Sequence, residues 1–318
     1  MYESGSERSA VRSGANALAD RAILFVHIHK TAGTTLHRII EQEYNPFLVY
    51  TIEGGVIEWS IDHFKRLSEQ RRAALRVVKG HMSFGLHEFL PQPSTYITFL
   101  RDPIERCISS YSYSKGNRIN PFYRRIKQEK LDLAQFVGIA PWNNNLQCKA
   151  IAGIDRRDYR PFGLFREMTR PGAKAPDPGL DQWSNEETLR RAQDNLRHYF
   201  GFVGLTERFP ESLAVLKHLF GWKLSSYSSY RKSRNRPKRE TFDPALLAVV
   251  EERNQLDRAL YEFGKKMFDG LVADLKIDVK EAAASFRTAE PKGSGFETMA
   301  HTGSLALRAA ASRFASLV

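Results

Sequence analysis

Two stretches and one histidine carry the residue types that could act on an anionic substrate. In the first, Ile23-Leu24-Phe25-Val26-His27-Ile28-His29-Lys30-Thr31-Ala32-Gly33-Thr34-Thr35-Leu36, an apolar run turns polar at His29-Lys30-Thr31. After Gly33 it resumes with Leu36, Ile39 and Ile40 able to share one helical face. That order predicts a buried strand, a tight turn and a helix. The first-turn amides of such a helix lack acceptors and lie at the positive end of its dipole, so together they form an anion pocket. Lys30 adds a mobile charge, Thr31, Thr34 and Thr35 add hydroxyls, and Gly33 lets the backbone approach a ligand closely. An ordinary βα connection would also accommodate one lysine and one glycine here. The phosphate loop G-x-x-x-x-G-K-[ST] and the dinucleotide fingerprint G-x-G-x-x-G are both absent from the stretch.

The second stretch, Tyr96-Ile97-Thr98-Phe99-Leu100-Arg101-Asp102-Pro103-Ile104-Glu105-Arg106-Cys107-Ile108-Ser109-Ser110-Tyr111, reads as a strand ending in Arg101 and a helix opened by Pro103. Arg101 presents a planar, permanently charged fork suited to phosphate, and Ser109 a hydroxyl two turns into the helix. The plainer alternative is that Arg101 and Asp102 cap the helix and pair at the surface. Of the nine histidines, His81 in Val78-Lys79-Gly80-His81-Met82-Ser83-Phe84-Gly85 is the candidate general base, because it follows a strand at the end where Lys30 and Arg101 also lie. His87 and Glu88 compete for that role, and a hydrogen-bonded loop histidine is the plainer reading. His27 and His29, drawn together with His81, resemble a metal cluster only superficially. No carboxylate or cysteine stands at ligand spacing, so no metal is expected.

These residues need a scaffold that brings strand ends together. Strand–helix alternation recurs: a βα unit over 22–44, a helix over 61–75, and strands over 75–79, 95–100 and 202–205. Helices are expected from 103 to 113 and in 118–140, and an amphipathic one over 185–200. Thr206 reads as the cap of a helix reaching 220, and 244–271 reads as one long helix. Residues 47–60 are mixed, with a turn at Gly54-Gly55. Residues 156–182 read as a surface loop and 223–240 as a basic linker. The expected fold class is α/β, a three-layer parallel sheet flanked by helices, with ligands at the carboxyl ends of its strands. One domain is expected over 21–277, between a flexible tail at 1–20 and an Ala/Ser-rich tail at 278–318 in which 305–318 has weak amphipathic character.

The chain of 318 residues is 42% hydrophobic, carries a net charge of +12 and has a pI near 9.7, which favours anionic ligands without naming one. Cys107 and Cys148 are the two cysteines, too few for a disulfide framework, although one bridge stays open. Residues 1–20 show no basic-then-apolar leader, and no run reaches the length of a membrane span, so the expected setting is cytoplasmic. The run Arg231-Lys232-Ser233-Arg234-Asn235-Arg236-Pro237-Lys238-Arg239 is either a solvated charge run or a lid over a phosphate or an acidic acceptor. With only Tyr227 and Tyr230 before it to stack bases, nucleic acid is not expected as a partner.

The first stretch resembles the 5′-phosphosulfate loop of the sulfotransferases, in the form H-I-P-K-T-G/A-G-T-S/T of the branch that includes the heparan-sulfate 2-O- and 6-O-sulfotransferases. His29 stands in place of the usual Pro, and Ala32 and Thr35 fit their positions. The second resembles the same family's strand–R-D-P-x-x-R–helix motif for the 3′-phosphate. Asn145-Leu146-Gln147-Cys148-Lys149-Ala150-Ile151-Ala152-Gly153 is similar to its N-x-Q-T-R-x-L-x-G segment, with Cys148 and Lys149 replacing Thr and Arg. Phe202–Leu213 and the stretch with Asn254, Asp257, Leu260 and Tyr261 fit two further segments, mainly structural, so the resemblance covers about 22–270. Family members of the Golgi carry an N-terminal span, and this chain departs from them there.

The resemblance implies a donor, 3′-phosphoadenosine 5′-phosphosulfate (PAPS), held by Lys30, Thr31, Ala32, Gly33, Thr34, Thr35, Arg101 and Ser109. It implies Lys30 and His81 as the catalytic pair. Lys30 would stabilise the leaving phosphate, and His81, matching the base of a G-H-x-x-F segment, would take the acceptor's proton. The implied acceptor is a carbohydrate hydroxyl, with a lipid-linked sugar, a polyol or a small phenol also open; Trp59, Phe84, Trp142 and Trp183 are aromatics able to stack on a sugar ring, although a core position is the plainer reading of each. Two other classes stay open. A nucleotide or small-molecule kinase would need a lysine after the glycines and a carboxylate for Mg²⁺. A non-catalytic binder of anionic glycan would rest on net charge.

Overall fold

The continuous apolar run Ala-Ile-Leu-Phe-Val becomes β1 (Ala22–Val26), buried on both faces as a central parallel strand requires. The computed structural model describes residues 14–54, 57–140, 143–153, 171–172, 184–228 and 236–289. After β1 come α1 (Gly33–Glu43), β2 (Val49–Ile52), α2 (Ile57–Arg66), α3 (Glu69–Ala73) and β3 (Val77–Gly80). Then follow β4 (Ser94–Leu100), α4 (Pro103–Gly116), α5 (Tyr123–Gln128), α6 (Leu133–Ile139) and α7 (Leu146–Ala152). The chain continues through α8 (Asn185–Tyr199), β5 (Phe200–Leu205) and α9 (Phe209–Phe220) to β6 (Ser226–Ser228), α10 (Pro244–Glu252), α11 (Gln255–Asp274), α12 (Val279–Ala284) and β7 (Arg287–Ala289).

The main sheet has five strands in the order β2-β3-β1-β4-β5, all parallel and flanked by helices, the α/β arrangement expected. β1 lies at its centre, with Phe25 opposite Lys79 of β3 on one side and Ile97 of β4 on the other. One apolar core surrounds this sheet. A smaller one, including Ile108, Tyr111, Phe122, Phe136 and Val250, joins α4, α5, α6 and α10 beside it. Parallel strands share one carboxyl edge, so the loops after β1, β3 and β4 open on the same side of the sheet.

Several local expectations are corrected. Residues 47–60 hold a strand, β2. It lies at the sheet edge and is only half buried until Ile52, so its hydrophobic pattern is weak. The helix expected over 61–75 is two, because Ser68 accepts the Arg71 amide at 3.2 Å and starts a new one. Thr206 does not cap a helix. Its hydroxyl donates to the Leu100 carbonyl at 3.0 Å, a 3₁₀ turn covers Thr206–Arg208, and α9 begins at Phe209. The long helix over 244–271 breaks at buried Asn254, whose amide donates to the Val250 carbonyl at 2.9 Å before α11 starts.

The packed unit also exceeds 21–277. Leu18 is buried and its amide donates to the Leu219 carbonyl at 3.0 Å. Val279 and Phe286 bury into the main core, and β7 pairs with β6 in parallel. The N-terminal residues before 14, most of the loop at 156–182, residues 231–235 of the basic run, Trp142, Trp183 and the stretch 305–318 lie outside the described residues. No helix among the described residues is long and apolar enough to cross a membrane.

Both cysteines are buried free thiols, and burial pushes Cys107 up to about 11 and Cys148 well above the ordinary thiol range. Neither thiol should react with a disulfide reagent at pH 8 until the protein is unfolded, as a colorimetric thiol count with and without guanidinium will show. Gly80 closes β3 at φ +145°, and a Cβ there would collide with the Ile52 backbone carbonyl. Gly80→Ala should therefore lower the unfolding free energy by about 3 kcal/mol in a urea titration.

Candidate active site

The loop after β1 turns through two left-handed residues, Lys30 at φ 70° and Ala32 at φ 61°. Between them Thr31 is buried and its hydroxyl donates to the Ile28 carbonyl at 2.9 Å. That hydroxyl braces the loop from inside, so Thr31 can offer a ligand only its backbone. Thr35 is buried as well, and Thr34 is the half-exposed threonine of the three. α1 opens on Ala32, whose methyl group cannot cap it, and Gly33-Thr34-Thr35 bring no acidic residue to its first turn. The positive helix end thus faces outward uncompensated. Gly33 is obligatory for a steric reason, since a Cβ there would overlap the His27 imidazole packed beneath the loop.

Arg101 emerges from β4 beside this loop and its Nη1 donates to the Lys30 carbonyl at 3.0 Å. The two motifs, 71 residues apart in sequence, are thereby joined directly. Asp102 caps α4 by accepting the Glu105 amide at 3.0 Å and also receives Arg258 at 2.6 Å. Burial acts to raise the Asp102 carboxyl, but the Glu105 amide and Arg258 outweigh it and hold it below the usual carboxylate range. Along α4, Glu105, Ser109 and Tyr113 recur every four residues and so share one face. The Lys30 ammonium sits 3.3 Å from the centroid of the Tyr113 ring, a cation–π contact at the far end of that face. Ser109, half buried, stands between this contact and Arg101.

The described end of the basic run closes the near end of the face. Arg236 donates to the Glu105 carbonyl at 3.2 Å and pairs with its carboxylate, which is also 3.8 Å from Arg101. Arg239 approaches Asp102 at 3.8 Å. Burial, and next the like charge of Arg236, depress the Arg101 guanidinium below its ordinary value, against Glu207 and Glu105. Among the described residues, the buried Nε atoms of Arg101 and Arg236 make no hydrogen bond. Two crowded guanidinium groups with orphaned donors fit a multiply charged anion.

The backbone of Arg101 is held by Gln147. Its Oε1 accepts the Arg101 amide and its Nε2 donates to the Arg101 carbonyl, both at 2.9 Å. Gln147 is in turn fixed by reciprocal helix caps. Asp257 of α11 accepts the Gln147 and Cys148 amides at the start of α7, at 3.2 and 2.8 Å. Asn145, just before α7, accepts the Leu256 and Asp257 amides at the start of α11, at 3.0 and 3.2 Å. Arg106 lies 3.7 Å from Asp257, and both side chains are fully buried. Burial pushes the Asp257 carboxyl up, opposed by Arg106 and the two amides.

His81 follows Gly80 at the same sheet edge. Its Nδ1 lies 2.8 Å from the His27 carbonyl, which can only accept, so Nδ1 carries the proton and Nε2 is the basic nitrogen. The ring stacks on His29, at 3.7 Å and 24°, and on His27, at 4.2 Å and 25°, and His37 lies tilted 4.7 Å from His27. Among the described residues no His, Cys, Asp or Glu group is arranged to hold a metal ion. The competing His87 is turned away. Its Nδ1 meets the Tyr96 hydroxyl at 3.0 Å, its ring packs on Phe84 and Tyr199, and burial lowers its pKa; Glu88 is exposed.

The sequence profile described as Sulfotransferase family matches residues 17–264. The chain belongs to the sulfotransferase family. It is similar to galactose-3-O-sulfotransferase 3 of Mus musculus, 24% identical over 256 residues that cover 76% of this chain and 54% of that protein. Heparan-sulfate 6-O-sulfotransferase 1 of Cricetulus griseus is 24% identical over 293 residues, 78% of this chain and 67% of that protein. Heparan sulfate 2-O-sulfotransferase 1 of Xenopus laevis is 25% identical over 275 residues, 78% and 71% respectively. The chain therefore spans little more than half the length of the galactose-3-O-sulfotransferase it matches.

Within this sulfotransferase fold, three participants escape sequence reasoning. Tyr113 is separated from Lys30 by six elements and most of a seventh, and its only signal is its helical spacing from Ser109. Gln147 lies in a family-like segment, yet its grip on the Arg101 backbone is visible only once β4 and α7 are side by side. Arg236 is one of many basic residues in its run, and its seat on α4 is what distinguishes it. The caps between α7 and α11 yield a direct test. Asp257→Ala strands Arg106 in the core and should cost about 3–5 kcal/mol of unfolding free energy by urea titration.

Proposed function

We propose that this chain transfers the sulfuryl group of PAPS to a hydroxyl of a carbohydrate. The observation that carries the reading is the bond from Arg101 to the Lys30 carbonyl, with an orphaned Nε on Arg101 and on Arg236 beside it. It joins one anion pocket, at the head of α1, to a second at the head of α4. Glu105 and Tyr113 are eight residues apart on α4, about 12 Å along its axis, so the two pockets suit a ligand with phosphate at both ends. The carbohydrate acceptor is supported by the related proteins, which are galactose and heparan-sulfate sulfotransferases.

The fit of donor to site rests on the chain's own groups. Arg101, Arg236 and Ser109 would hold the 3′-phosphate. Lys30 and the backbone amides from Thr31 to Thr34 would hold the 5′-phosphosulfate, the Thr35 amide being taken by the Ala32 carbonyl at 3.1 Å. When bound, the donor supplies a sulfuryl group on a phosphate leaving group. His81, with Nδ1–H tied to the His27 carbonyl, has Nε2 as the ring nitrogen that would accept the proton of the acceptor hydroxyl. Lys30 meets the negative charge that grows on the phosphate oxygen as its bond to sulfur breaks and the acceptor oxygen's bond to sulfur forms. The kinase reading is less well supported, since the loop has its lysine before Gly33 and no acidic residue in the first turn of α1.

Calorimetric titration with adenosine 3′,5′-bisphosphate, beside ATP with Mg²⁺, tests the donor site. The bisphosphate should bind more tightly, and Arg101→Ala should weaken it about 10–100-fold. His81→Ala should leave that affinity nearly unchanged while lowering sulfuryl transfer by about 100-fold or more. Tighter binding of ATP, or sulfuryl transfer undiminished in His81→Ala, would overturn the assignment.

A further inference from the structure

The donor site leaves one exposed aromatic at the same sheet edge without a role. β2 pairs in parallel with β3, and Ile52 lies opposite Gly80, the residue before His81. The loop leaving β2 therefore runs past the candidate base. A Cβ on Gly54 would sit 3.0 Å from His81 Cδ2. The Glu53 amide donates to Ser60 Oγ at 3.2 Å, which ties this loop to the first turn of α2, where Trp59 stands.

Trp59 is 49% exposed, yet its ring is fixed. The indole lies flat on His63, with centroids 5.1 Å apart and planes 12° apart, and His63 lies nearly parallel to Tyr50 at 6.0 Å and 16°. The Tyr50 hydroxyl donates to the Ser60 carbonyl at 2.8 Å and meets His63 Nδ1 at 2.9 Å. With its one proton committed to the carbonyl, it accepts from Nδ1–H. Burial pushes this hydroxyl up to about 12, so it keeps its proton at neutral pH. One face of the indole is thus backed by a hydrogen-bonded stack and the other is presented to solvent. Among the described residues, Phe84 and Phe47 do not offer this. Phe84 packs among His87, Tyr96, Tyr199 and Phe200, and exposed Phe47 precedes β2, at the opposite end of the strand.

We infer that Trp59 is the stacking platform for a neutral hexopyranose unit of the acceptor. An aromatic face held rigid beside a polar site suits a ligand with one apolar face and a hydroxyl rim, and its preorganisation lowers the ordering cost of binding. A hexopyranose has that shape, with axial C–H groups on one face and hydroxyl groups at the edge that would reach His81. The charges near Trp59 select the sugar class. Glu58 precedes it, Asp62 lies one turn on along α2, and Glu53 is in the adjoining loop, so the formal charge next to Trp59 is acidic and disfavours a uronate or a sulfated sugar. Lys65 and Arg66 lie at the far end of α2, where Lys65 rests over Phe89 and Arg66 donates to the Asp62 carbonyl.

This inference rests on the proposed transfer to carbohydrate, and the experiment separates the two. Saturation-transfer NMR on the full chain uses lactose as the neutral probe and an unsulfated chondroitin disaccharide as the uronate probe, each with and without adenosine 3′,5′-bisphosphate. Lactose ring protons should be saturated, should lose most of that signal in Trp59→Ala and recover it in Trp59→Phe, with bisphosphate affinity within twofold of the parent throughout. The chondroitin disaccharide should give the weaker signal. Lactose saturation unchanged in Trp59→Ala, absent from the parent protein, or exceeded by the chondroitin disaccharide would overturn the platform while leaving the donor site standing. Lactose saturation that depends on Trp59, in a chain that does not bind the bisphosphate, would uphold the platform and remove the donor reading.

Discussion

The hydrogen bond from the Arg101 guanidinium to the Lys30 carbonyl is the contact on which the site depends. It is possible only because β1 and β4 pair in parallel, with Val26 opposite Thr98, so that both strand ends release their loops on the same side. A left-handed Lys30 exposes that carbonyl sideways, and Ala32 turns the chain back to begin α1. Each positive group is then placed by backbone rather than by side-chain choice. This is the economical way to gather cations that repel one another, because the sheet's hydrogen bonds and buried apolar area hold them in place.

Behind that contact stand two supports of different kind. On the α4 side the support is polar: Gln147 holds Arg101, and α7 and α11 cap each other through Asp257 and Asn145. On the β3 side it is a run of neighbouring imidazoles, His29, His81, His27 and His37, that ends at the ion pair of buried Lys79 with exposed Glu41, 2.7 Å long. Gly33 is the joint between this run and the loop, since the space a side chain would need there is filled by His27.

Much of this frame could be read from the chain. Buried parallel strands are nearly uninterrupted apolar runs, so β1 and β4 stand out, and with them the positions of Lys30 and Arg101. His81 followed because a glycine and a short apolar run mark the end of β3. What stayed hidden has more than one cause. β2 is a half-exposed edge strand with little pattern of its own, and the break at Asn254 depends on a buried amide reaching back to Val250. Thr206 has the chemistry of a helix cap but spends its hydroxyl on the Leu100 carbonyl across the sheet. The hydroxyl of Thr31 was expected to face the ligand and is turned into the loop instead. Thr206 takes a partner 106 residues away, which spacing along the chain does not reveal, while Asn254 and Thr31 turn to carbonyls four and three residues back.

The carboxylate of Glu105 lies against both Arg101 and Arg236. A tethered counter-ion of this kind is always present at high effective concentration, so anything arriving from solution has to out-compete it. Singly charged ions such as chloride or acetate offer the two guanidinium groups no more than Glu105 already does. A dianion offers more charge and more acceptor atoms. The pocket is thereby buffered against the abundant small anions of its surroundings, and it opens only to a ligand whose valence exceeds that of the carboxylate it carries.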